Sequence, residues 1–141
     1  MSWTFKYKIK INAPVADVFA CFASLEGMKR WFIIDGVLEP HVGGRFQMIW
    51  DAEQRMEGRV TIFEPDKCFA FQWVEETIFT NTTATFTFES LPDGRTQVTC
   101  TDGEFPEDLR AAKSYADVSE GWATCLMILK GVLQYGVDLR I

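Results

Sequence analysis

The chain has 141 residues, of which 48% are hydrophobic and 24% charged, and carries a net charge of −6. That length fits one globular domain, running from residue 1 to 141, with a core large enough to need no disulfide or metal staples. The charge excludes a nucleic-acid partner, which would need clustered Lys and Arg, and no stretch approaches the ~18 apolar residues of a membrane span.

Trp3 to Ile11 alternates strictly, with Lys6, Lys8 and Lys10 on one face and Phe5, Tyr7, Ile9 and Ile11 on the other, which predicts a strand. Asn12-Ala13-Pro14 ends it. Proline suits the start of a helix and Asp17 suits its positive end, so Val15, Val18, Phe19 and Phe22 mark a short amphipathic helix over about 14–23. Ser24 is placed to cap a second short helix carrying Met28, Trp31 and Phe32.

Six strands follow, over 37–39, 45–50, 57–64, 68–74, 80–89 and 96–101. Turn residues separate them: Pro40 to Gly44, Asp51 to Arg55, Pro65-Asp66, Glu75-Glu76 and Pro92-Asp93-Gly94. Spacers this short suit a meander of antiparallel strands with one apolar face. The segment over 102–117 is looser, with a helical turn expected at Glu107–Lys113. Val118, Trp122, Cys125, Leu126, Leu129, Val132 and Leu133 then form one stripe at helical spacing, up to Gly136.

The result is an α+β chain of order β-α-α-β6-α. Its curved seven-stranded sheet must be about 30 Å wide at ~4.8 Å per strand, and its only long cover is a helix about 10 Å across. The sheet must therefore curl around that helix, and the mismatch in width predicts a cavity between them.

Parity selects the side chains that face this space. They are Phe46, Met48 and Trp50, then Val60 and Ile62, then Phe69, Phe71 and Trp73, then Ala84, Phe86 and Phe88, then Val98 and Cys100. A bulge would invert any of these sets. Trp31, Phe32, Trp122, Leu126 and Leu129 join them from the helices. Each buried indole also needs an acceptor for its N–H.

Few residues suggest chemistry. Cys21, Cys68, Cys100 and Cys125 lie far apart and His41 is the only histidine, so no metal and no cofactor is expected. No apolar leader opens the sequence, so the expected location is the cytoplasm, with the thiols free. His41, beside Gly43 and Gly44, reads as a solvated residue of a tight turn, and Arg45 and Arg59 belong to the outer face. Asp102 and Glu104 read as loop solvation, with pocket-mouth acids as the alternative, and Glu120 as an exposed helix residue with a pocket-rim role as the alternative.

Several segments together are similar, in order and spacing, to one family. They are Ala13-Pro14 with Val18-Phe19, Met28-Lys29-Arg30-Trp31-Phe32, Val42-Gly43-Gly44-Arg45-Phe46, Gly58-Arg59-Val60 before Glu64-Pro65, Phe71-Gln72-Trp73, and Glu120-Gly121-Trp122 with Leu126 and Leu129. The chain resembles domains like the activator homologue of the heat-shock-protein-90 ATPase, within the START-like, helix-grip superfamily. The resemblance implies the helix-grip fold and a deep pocket between long helix and sheet. It also implies a choice of functions, because members include carriers, co-chaperone domains and a few enzymes. The family often has His shortly after the Gly-Trp pair, where this sequence has Cys125, and a full co-chaperone needs a further domain.

The favoured reading is a non-catalytic binding or carrier domain for a hydrophobic or aromatic small molecule, lipids included, acting as a monomer or homodimer. The alternatives are a polyketide cyclase or dehydratase-like enzyme using the same pocket, and a protein-interaction module.

Overall fold

A computed structural model describes residues 1–74 and 81–141. The expected turn at Glu75-Glu76 and the expected strand start at Thr80 lie outside the described residues. Strand β1 is Ser2–Ile11, helix α1 Val15–Ala20 and helix α2 Leu25–Lys29. The strands β2 (Asp35–Leu38), β3 (Arg45–Ile49), β4 (Arg55–Glu64), β5 (Cys68–Trp73), β6 (Thr83–Ser90) and β7 (Thr96–Pro106) follow. Helix α3, Leu109–Lys130, runs on through a π-type turn, Gly131–Tyr135, to Gly136, whose φ of 66° ends it.

The seven strands form one antiparallel sheet in the order β1-β7-β6-β5-β4-β3-β2, so the meander is complete and β1 is laid beside the last strand. Lys6, Lys8 and Lys10 stand on its wet face, with Ile9 and Ile11 buried on the other. Arg45 lies outside as expected, its Nη2 2.7 Å from Glu57 Oε1.

Local rules account for most element ends. Ser24 Oγ accepts from the Gly27 N–H at 3.0 Å and caps α2. That helix stops at Lys29, earlier than expected, so Trp31 and Phe32 follow it in irregular chain. Asp108 caps α3 by accepting from the Ala111 N–H at 2.8 Å, so the long helix begins nine residues before Val118, where the apolar stripe begins. Gly44 is required by proximity, because a Cβ there would come within 2.1 Å of the Glu39 carbonyl oxygen.

The helix lies closest to β7 and β1, at one side of the curled sheet. The trough on the other side is filled largely by rings. Phe22 meets Trp31 and Phe86, both at 4.9 Å between centroids, and Phe46 meets Phe71 at 5.0 Å. The width mismatch is thus met largely by aromatic bulk, and open space remains toward one end.

Two strands depart from simple parity: β7 shifts register against β1 between Trp3 and Phe5, and β4 shifts against β5. The register of β4 against β5 shifts between Val60 and Ile62, so Val60 pairs with Phe71 and Phe63 with Phe69, while Ile62 pairs with Ala70. Cross-strand partners share a face. Ile62 therefore lies on the face away from the helix, correcting the expectation that it points inward, and Phe63 takes the inner position beside Phe19 and Phe69. The cause is the extra residue of a bulge, which flips everything beyond it. Truncating Phe63 to Ala should cost about 2 kcal/mol and truncating Ile62 to Ala under about 1 kcal/mol, measured by urea unfolding. The reverse order would contradict this register.

Candidate functional site

The open end of the trough holds a cavity of about 280 Å³ lined by Phe32, Trp50, Gln54, Trp73, Val118, Gly121, Trp122 and Cys125. Helix α3 supplies four of these at spacings of three, one and three residues, so they form one face. A second space of about 220 Å³ shares Trp50, Trp73 and Val118 with it and adds Met56, Thr82, Phe105, Ser114 and Asp117. The two spaces adjoin at those three residues. Phe32 stacks on Trp122 at 5.0 Å and meets Trp50 edge-on at 5.4 Å, so the rings brace one another.

Behind this wall lies Asp102, which is wholly buried. Its Oδ2 accepts from Trp122 Nε1 at 2.8 Å and from Trp73 Nε1 at 3.1 Å, while Thr82 Oγ1 donates to Oδ1. Burial pushes its pKa up; the donors Thr82, Trp122, Trp73 and the Gly103 N–H pull it back, and it settles above the ordinary carboxylate value. Asp102 is on the lining of neither space. The N–H edges of both indoles therefore turn away from the cavity, which is left with their carbon surface.

Among the residues expected to line a pocket, Phe32, Trp50, Trp73 and Trp122 stand on the cavity wall. Trp31, Phe46, Met48, Val60, Phe69, Phe71, Phe86, Phe88, Leu126 and Leu129 are placed in the packed core instead. Trp31 spends its N–H on the Cys21 carbonyl oxygen, 3.0 Å away. Glu120, Glu104 and His41 are exposed, as the sequence suggested, although Glu104 lies in β7 rather than in a loop.

Asp102 corrects the reading of it as loop solvation. Strand β7 runs to Pro106, through Gly103, so the inward parity of Val98 and Cys100 continues to Asp102. Two signals pointed there: that parity, and indoles short of an acceptor. Val118 and Cys125 were on the helix stripe; Gly121 and Gln54 gave no sequence signal. Burial pushes the Cys125 thiol up to about 11, which leaves it neutral and unreactive at ordinary pH. Among the described residues no group of three or more His, Cys, Asp or Glu side chains is placed to hold a metal ion, and no helix is long and apolar enough to cross a membrane.

The family model described as Activator of Hsp90 ATPase homolog 1-like protein matches residues 12–134. The chain belongs to this family. No curated protein matches it in sequence at a significant level. Solved structures do match in fold. The Aha1 dimer from Colwellia psychrerythraea is 21% identical, with a TM-score of 0.83 over 95% of this chain and 98% of that one. CalU16 from Micromonospora echinospora is 17% identical, with a TM-score of 0.73 over 94% and 84%. DynU16, described as a putative protein in the dynemicin biosynthetic locus, is 18% identical, with a TM-score of 0.80 over 96% of this chain but 48% of its own. The resemblance inferred from sequence and the helix-grip architecture therefore both hold.

Replacing Asp102 tests the network. Asp102→Ala strands two buried indole donors and should cost about 2–4 kcal/mol, whereas Asp102→Asn keeps an acceptor for them and an N–H for Thr82, and should cost much less. The two variants also separate in pH. Because the folded pKa lies above the unfolded value of ~3.9, the folded state keeps a proton over that window that the unfolded state has lost. Wild-type stability should therefore fall relative to Asp102→Asn as pH rises through the window, then run parallel to it. Urea unfolding between acid and neutral pH reads this directly; a relative gain would reverse the assignment.

Proposed function

We propose that this chain is a single cytoplasmic binding domain that carries a small hydrophobic or aromatic molecule in the cavity between the sheet and α3. The observation that supports it is a space of about 280 Å³ whose walls include Phe32, Trp50, Trp73 and Trp122. With the adjoining 220 Å³, it falls in the range of small-molecule sites, roughly 300–1,000 Å³. Gln54, Ser114 and Asp117 sit on the lining and can orient a guest. Burying about 200 Å² of an aromatic guest contributes about 5 kcal/mol before association costs. Affinities between millimolar and micromolar are therefore expected for unoptimised probes.

A cyclase-like enzyme would need an acid or base within reach of the guest. Two carboxyls lie nearby: Asp102, whose pKa burial raises, is on neither lining and has both oxygens engaged by Trp73, Trp122 and Thr82, and Asp117, on the second lining, is paired with Lys113 at 2.8 Å. Cys125, the thiol on the wall, is held neutral. These features favour carriage over catalysis.

Gly121 offers the test. It lies within α3, and a Cβ there would meet nothing within 4 Å. Gly121→Leu should raise helix stability by up to about 1 kcal/mol while filling the cavity mouth. Titration with a naphthalene-type probe should quench tryptophan fluorescence saturably in the wild type and not in this variant. Undiminished quenching in Gly121→Leu, or no saturable quenching in either protein, would remove the proposal.

A further inference from the structure

We infer that the guest is an aromatic cation, an aryl body bearing an ammonium or other positive group. This rests on the binding reading above and names its ligand class. The cavity wall is unusual in what it combines. Phe32, Trp50, Trp73 and Trp122 supply ring surface, and a cation over a ring is drawn to the negative face of its π-system. Trp73 and Trp122 are not ordinary indoles, because both give their N–H to the same carboxylate oxygen, Asp102 Oδ2. A carboxylate accepting an indole N–H pushes electron density into the ring, which strengthens the negative face. The acid is wholly buried, and its partners Trp73, Trp122 and Thr82 line the two spaces, so its own field reaches the guest with little screening by water.

The remaining charges agree. Among the described residues, neither space has a Lys, Arg or His on its lining. The charged side chain that does line the second space is an acid, Asp117, partnered by Lys113 at 2.8 Å from outside that lining. The chain as a whole carries −6. An anionic guest would meet the field of Asp102 with no cation on the described lining to offset it, and Asp117, paired with Lys113, adds no attraction for it. A neutral guest would gain apolar burial alone. A cation gains that burial, the ring faces and the field of both acids.

Three probes with one aromatic body test the charge: naphthylmethyl-trimethylammonium, its uncharged carbon isostere neopentylnaphthalene, and naphthylmethanesulfonate, each titrated by tryptophan quenching. The ammonium should bind about ten-fold more tightly than the isostere, and the sulfonate more weakly than both. If isostere and ammonium bind alike, or the sulfonate binds best, the charge assignment is overturned while the carrier reading stands. If no probe binds, both fall together.

Two variants locate the source of the preference. Asp102→Asn still accepts the indole N–H groups and should lower the ratio of ammonium to isostere several-fold, leaving the part that the ring faces and Asp117 supply. Asp117→Asn, on an exposed turn of α3, leaves the fold undisturbed and should lower the ratio by a smaller factor. An unchanged ratio in both would show that the acids do not select the guest.

Discussion

One buried carboxylate organises the open end of this molecule. Asp102 on β7 takes hydrogen bonds from Trp73 on β5, Trp122 on α3 and Thr82 beside β6, and so ties three strands' worth of sheet to the helix through a single group. A carboxyl with no water around it is costly unless every lone pair is engaged, and here the donors are arranged to do so. The rest of the core consists of ring and aliphatic contacts, which are strong in sum but without direction. The carboxylate supplies direction. It holds two large indoles back against the sheet and helix, where they would otherwise be free to turn into the empty space beside them.

That restraint explains why the space lies where it does. A helix seated over β7 and β1 leaves the β3–β5 side of a broad curled sheet uncovered. Toward the α1–α2 end, Phe22, Trp31, Phe46 and Phe69 close the gap, and all are under 2% exposed. Toward the other end the comparable volume is furnished by Trp50, Trp73 and Trp122, of which two are fixed by Asp102 and cannot rearrange to fill it. The cavity is the part of the trough where Asp102 holds Trp73 and Trp122 in place.

Much of this was legible in the sequence, and the failures have physical causes. Strict alternation in β1, the Ser24 cap and Gly136 at the end of the long helix each depend on neighbours within a few residues, so the chain states them openly. Ile62 was misplaced because a bulge depends on how β4 meets β5, which no local pattern records. Asp102 was misread because Gly103 and Pro106 look like breakers, although the strand runs through Gly103, where it pairs with β6, and ends only at Pro106. The pocket residues were over-counted for a related reason. Inward parity gives the same answer for a ring in a packed core and a ring on a cavity wall, and only the seating of the helix separates Phe71 from Trp73.

Membership of the family fixes the trough but not its use, since structures 17–21% identical share the fold and nothing finer. What distinguishes this chain must come from the few side chains on the cavity wall. Cys125 stands there, where the family often has histidine, and burial keeps its thiol neutral. An imidazole at that point would bring a proton donor and acceptor that titrates near neutrality into contact with the guest. A neutral thiol brings neither. Of the acids nearby, Asp102 is on neither lining and has both oxygens engaged, and Asp117 on the second lining is paired with Lys113 at 2.8 Å. A wall of ring surface with its acids so engaged is the arrangement that the proposed carrier role requires.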